Sequence, residues 1–179
     1  MPNTLHDAPA VTRKDIDPAR ALTARAVTIN RPADELYAFY RDFSNLPSFM
    51  ENVERIDMLD DKRSHWVVKA PAGRTVEWDA VVTHEEPGRA ISWQSDEGAD
   101  IPNSGKIEFE DAGARGTVVT ATIAYEPPGG VVGKVIAKLF QREPAIQARR
   151  DLRRFKQLME TGEVATSSWT RAQLEEERA

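Results

Sequence analysis

The sequence predicts an α+β fold: an antiparallel sheet of about seven strands covered by a long C-terminal helix, with two short helices after the first strand. Three observations predict it. Between Val53 and Tyr125 apolar residues recur at every second position, the repeat of strands buried on one face and wetted on the other. From Gly130 to Met159 the repeat changes to steps of three and four (Val132, Val135, Ile136, Leu139 and Phe140, then Leu152, Phe155, Leu158 and Met159), one stripe of a helix. The segment Tyr125-Glu126-Pro127-Pro128-Gly129-Gly130 separates the two regimes, because its prolines and glycines stop a strand and turn the chain.

The elements then follow in order. Residues 1–20 hold three prolines and no periodicity, which reads as a flexible arm. Ala21 to Asn30 is the first strand, with Val27 and Ile29 on one face. Arg31-Pro32-Ala33-Asp34-Glu35 starts a helix, since proline suits a first turn and acidic residues suit the positive end of the helix dipole. Leu36, Phe39 and Tyr40 give it an apolar face, and a second helical turn surrounds Asn45 to Met50. Strands are expected at Val53–Asp60, Ser64–Ala70, Thr75–Glu86, Ala90–Ser95, Gly105–Asp111 and Thr117–Tyr125, joined by turns rich in Gly, Pro and Asp. Pro144 lies inside the helical stripe, so a break is expected near Gln141–Glu143, and Gly162 ends the second piece. Glu163 to Ala179 is a polar tail with room for a short helix at Thr170–Arg178. The domain therefore spans residues 21–162.

Composition bounds the function. The chain has 179 residues, 40% apolar and 30% charged, the profile of one globular domain. A net charge of −5 argues against general nucleic-acid binding, which needs a basic footprint. The absence of cysteine removes disulfide and thiolate chemistry. The first thirty residues carry no apolar run of the signal-peptide kind, and no apolar stretch approaches the roughly 20 residues that span a bilayer. A cytoplasmic protein is expected. No paired-histidine or carboxylate spacing suggests a metal, and neither a nucleophile elbow nor a phosphate-cradling loop is present, so no cofactor is read.

The order of elements resembles the START/Bet v 1-like (SRPBCC) superfamily, and within it the bacterial polyketide cyclase/dehydrase and ubiquinone-binding branch. The stretches that carry the likeness are Thr28 to Phe39, Asn45-Leu46-Pro47-Ser48-Phe49-Met50, Trp66-Val67-Val68-Lys69-Ala70-Pro71, Glu77-Trp78-Asp79, Ile91-Ser92-Trp93-Gln94-Ser95, Gly116-Thr117 and Tyr125 to Gly130. The resemblance covers about Ala21 to Gly162 and implies a helix-grip fold, a curved sheet wrapped on the C-terminal helix, with a hollow interior. Members bind lipids, quinones, hormones or polyketides, and some are catalysts, so the fold alone does not choose among them.

Candidate ligand-binding residues come from combining that interior with strand parity. Trp66, Trp78 and Trp93 each take an inward position, which serves core packing or a pocket wall equally well. With Phe109, Tyr125, Ile136, Leu139 and Phe140 they would line a cavity for a flat or greasy ligand. Ser95 shares the parity of Trp93, and Asp100 and Asn103 lie in the loop that would rim the entrance; each also has an ordinary use in turns. Tyr125, Asp100 and His84 are the weak candidates for acid–base work, His84 because it continues the inward series from Trp78 at the strand's far end. His65 faces outward, and Trp169 lies in the polar tail. Arg149, Arg150, Arg153, Arg154 and Lys156 form a basic face, either merely solvated or able to meet a membrane surface or an acidic partner. The sequence reads as a carrier, chaperone or sensor for a hydrophobic small molecule: a lipid, an isoprenoid quinone or a polyketide. The alternatives are a polyketide cyclase/dehydratase-type enzyme and a closed-core interaction module without a ligand.

Overall fold

The computed structural model describes residues 21–99, 101–125 and 144–165. The strands are β1 (Ala21–Ile29), β2 (Val53–Met58), β3 (Arg63–Ala70), β4 (Arg74–Glu86), β5 (Ala90–Ser95), β6 (Asn103–Asp111) and β7 (Thr117–Tyr125). They form one antiparallel sheet in the order β1-β7-β6-β5-β4-β3-β2. Helix α1 (Ala33–Arg41) and a 3-10 turn (Phe43–Ser48) follow β1, and α2 (Pro144–Thr161) is the last helix among the described residues. The sheet curls into a half-barrel around this helical layer, the helix-grip arrangement of an α+β protein. The arm, Asp100, the first piece of the expected long helix with Ile136, Leu139 and Phe140, and the tail from residue 166 lie outside the described residues.

Each boundary has a local cause. Asp34 and Glu35 occupy the first turn of α1 and Arg41 its last, complementing the helix dipole. The turn between β2 and β3 starts earlier than expected because the Asp60 carboxylate accepts from the backbone N–H groups of Lys62 (2.8 Å) and Arg63 (2.7 Å), so β2 ends at Met58. Gly162 stops α2 with φ of +80° while its N–H bonds the Leu158 carbonyl at 2.8 Å.

One expectation is corrected. The inward series Val76, Trp78, Ala80, Val82 does not continue to His84, because the register of β4 against β5 shifts between Val82 and His84. Beyond that bulge Glu85 pairs with fully buried Ile91, and His84 pairs with Ser92 on the outer face, exposed. A bulge inserts one residue and so reverses every later side chain. Glu85 is thereby turned toward α1, where it accepts from the Tyr37 hydroxyl at 2.6 Å and the Arg41 Nε at 2.7 Å.

The core is an aromatic layer between α1, the 3-10 turn, α2 and the inner face of the sheet. Tyr40, Phe43, Phe49, Leu152 and Phe155 are buried there with Trp93 and Phe109. Phe49 stacks on Phe155 with ring centroids 4.8 Å apart. The end of α2 is tied to the end of β1: Arg31 Nε donates to the Met159 carbonyl (2.8 Å), Asn30 N–H to the Glu160 carboxylate (2.7 Å) and Lys156 Nζ to the Thr28 carbonyl (2.6 Å).

Gly105 makes this packing possible. It pairs with Trp93 across β5 and β6, and a Cβ at that position would lie inside the Trp93 indole ring. The ring lies flat over the glycine while Tyr40 and Phe43 pack against it. Gly105→Ala is expected to destabilise the protein by about 1–3 kcal/mol through overpacking, read from the urea midpoint. An unchanged midpoint would show that the indole moves aside freely.

Candidate functional site

The inner face of the sheet has two unlike ends. At the α1 end it is closed by Tyr37, Tyr40 and Phe109, with Phe109 edge-on to both tyrosines at 5.9 and 6.2 Å. At the opposite end, where β5 finishes, β6 starts and β7 finishes, a cleft of about 190 Å³ opens at the strand ends, lined from inner-face positions by Ser95, Asn103 and Tyr125, from outer-face positions by Gln94, Ser104 and Ala124, and by Pro102. Asn103 pairs with Tyr125 across β6 and β7, and the Ser95 hydroxyl accepts from the Asn103 N–H at 3.0 Å. The Asn103 amide nitrogen donates to the Ile101 carbonyl at 2.8 Å, which fixes its orientation. Three of the polar residues singled out in the sequence, Ser95, Asn103 and Tyr125, thus meet in one place.

The tryptophans differ in burial. Trp93 is buried beneath Phe43 and Tyr40 and belongs to the packed layer, as does Phe109. Trp66 is buried, donates Nε1–H to the Ser64 hydroxyl at 2.9 Å, and stacks on Trp78 at 6.1 Å with 12° between the rings. Trp78 is only half-buried and lies toward the cleft end, two residues before Ala80, which pairs with Ser95. On the outer face His65 sits between Asp79 (2.7 Å) and Glu77 (3.3 Å); the hydrogen bond to Asp79, ahead of the neighbouring charge, raises its pKa. The basic face of α2 is partly neutralised, because Arg150 and Arg154 meet Glu51 (3.6 and 3.3 Å) and Lys156 meets Glu160 (2.8 Å). Arg149 and Arg153 remain exposed on it. Among the described residues no cluster of three or more His, Asp or Glu could hold a metal ion, and no helix is long and apolar enough to cross a membrane.

Residues 29–162 match the family described as polyketide cyclase / dehydrase and lipid transport. The chain belongs to that family. A crystallised protein of Deinococcus radiodurans is similar at 44% identity, with 79% of this chain and 98% of the other superposed at a TM-score of 0.66. An uncharacterised 17.2 kDa protein of Streptomyces lincolnensis is 29% identical over 145 residues, 80% of this chain and 93% of its own. The Zhui aromatase/cyclase of Streptomyces sp. R1128 shares the fold, with a TM-score of 0.62 at 15% identity over 80% of this chain and 98% of its own. A START superfamily protein of Mycobacterium smegmatis also shares the fold, with a TM-score of 0.53 at 14% identity over 73% of this chain and 97% of its own.

Two charged groups of this family member escaped the sequence reading. Glu85 was hidden by the bulge; its bonds from Arg41 and Tyr37 hold its carboxyl below the usual carboxylate range, while burial and the same bond push the Tyr37 hydroxyl up to about 12. Asp151 lies four residues before Phe155 and so borders the buried stripe. Burial pushes its carboxyl up to about 7, against the Gln147 amide (2.8 Å), Arg154 and the Glu51 backbone N–H, which favour the charged form. The Glu51 carboxylate adds to the upward push.

The sign follows from linkage. In the unfolded chain Asp151 ionises near pH 4, whereas in the folded protein it keeps its proton to about pH 7. The stability this group allows is complete below pH 4 and is lost as the pH rises toward 7. Because the side chain is partly open to water, Asp151→Asn should raise stability at pH 8 by only about 1 kcal/mol and match the parent near pH 4. Urea midpoints across that range check it; parallel curves for both proteins would mean that Asp151 ionises normally.

Proposed function

We propose that this protein binds and carries a hydrophobic small molecule, held against the inner face of the sheet and oriented at the cleft end. The observation that carries the reading is the convergence of Ser95, Asn103 and Tyr125 on one cleft. Binding sites for apolar molecules pair an apolar wall with a few placed polar groups that set orientation, and the cleft supplies polar groups of that kind. Membership of a family described by cyclase, dehydrase and lipid-transport activity supports it. The ligand class is a lipid, an isoprenoid quinone or an aromatic polyketide. The cleft lining presents amide, hydroxyl and phenol groups, which suit holding a molecule better than moving a proton between two poised groups. A carrier in the cytoplasm is therefore preferred to a cyclase or dehydratase. The chain's net charge of −5 favours no role on nucleic acid. Arg149 and Arg153, exposed on α2, are the residues with which such a carrier would meet anionic headgroups or an acidic partner.

Native mass spectrometry of the purified protein, with organic extraction, tests this reading. The expected result is a stoichiometric apolar molecule, or uptake of an added apolar fluorescent probe. Asn103→Leu should weaken its retention about tenfold, because a buried acceptor or donor of the ligand then loses its partner. A protein that arrives empty and also excludes such probes would rule out the carrier.

A further inference from the structure

The Trp78 indole N–H is the one buried side-chain donor or acceptor among the described residues that makes no hydrogen bond. The contrast with its stacking partner is direct, since the N–H of Trp66 finds the Ser64 hydroxyl. An unpartnered buried donor is disfavoured, and folded proteins rarely leave one without a reason. The ring cannot easily swing its N–H to water, because stacking on Trp66 holds the indole plane. The donor is thus preset before anything binds, which lowers the entropy lost on binding.

The chemistry of the missing partner is narrow. Indole N–H donates and accepts nothing, so the partner is an acceptor. Around it the inner-facing positions of β3 and β4 are Ser64, Trp66 and Val68 and, beside Trp78, Val76 and Ala80; the charged residues Lys69, Glu77 and Asp79 alternate to the outer face. With no cation among these inner positions, a carboxylate or phosphate would lose its hydration without compensation, and an uncharged oxygen is favoured. Trp78 also stands near the end of β5: Ala80, two residues on, pairs with Ser95, and the Asp96 N–H bonds the carbonyl of Asp79 at 2.8 Å.

We propose that Trp78 is the specificity-determining donor of the ligand site, binding a carbonyl oxygen of an uncharged, largely apolar molecule. This deepens the carrier reading and rests on it. The ligand is then an apolar ketone, quinone or ester rather than a fatty acid anion or a plain hydrocarbon.

Fluorenone and fluorene, alike in shape and differing in the carbonyl, separate the possibilities. The protein should hold fluorenone about tenfold more tightly than fluorene, by titration calorimetry. Trp78→Phe, which keeps the apolar ring and removes the donor, should bring fluorenone to the level of fluorene and leave fluorene unchanged. In the unaltered protein the Trp78 Nε1–H resonance should move on addition of fluorenone and stay nearly still with fluorene, a readout that needs no substituted protein. Equal affinity for the two probes, or an affinity ratio that survives Trp78→Phe, overturns the inference while leaving the carrier standing. Failure of both probes to bind overturns the carrier and this inference with it.

Discussion

Tyr40 touches every layer of this protein. Its buried ring meets Phe43 and Phe49 at the two ends of the 3-10 turn, Trp93 and Phe109 from the sheet, and Phe155 from α2. Most of these contacts are edge-on or tilted, the arrangement in which the positive rim of one ring meets the negative face of another. A sheet with one apolar face gains little until that face is covered, and here the cover comes from two segments far apart in sequence. Only a shared cluster can hold both in place at once. The polar ties between α2 and β1 then set how far the helix lies along the sheet, since Arg31, Asn30 and Lys156 each engage its last turns or its partners.

Closing one end so completely has a consequence for the other. The large rings are concentrated near α1, so the strand ends that carry Ser95, Asn103 and Tyr125 are lined by smaller and more polar groups. Trp93 and Trp78 show the division well. They occupy inner faces of adjoining strands, yet one is sealed under Tyr40 and Phe43 over a glycine, and the other keeps a buried donor without a partner. An inward tryptophan is therefore architecture or recognition depending on what lies above it, a matter of the third layer rather than of its strand. The functional reading depends on this asymmetry, with rigid packing behind the site and unsatisfied polarity at it.

The strands, both short helical segments and the helical piece that ends at Gly162 were legible in the sequence, because alternation, helical spacing, proline and glycine act over a few residues. So was the family, through the order of those elements. Inward parity placed Trp66, Trp78 and Trp93 on one face. It did not separate the two that pack into the core from the one that stands half-open. His84 leaves the inward series for a simple reason: a bulge adds one residue to one strand and leaves no mark in the alternation before it.

Local pattern and composition, then, were enough for the fold class, the element order and the residues able to face inward, since backbone sterics and side-chain period are properties of short stretches. The tertiary structure alone decided that Glu85 rather than His84 turns inward, that Asp151 borders the core, that Ser95, Asn103 and Tyr125 share a cleft, and that the Trp78 N–H lacks a partner. Each of those depends on burial and on neighbours brought from elsewhere in the chain. Desolvation and hydrogen-bond satisfaction are set by what surrounds a group in space, and no window of sequence contains it.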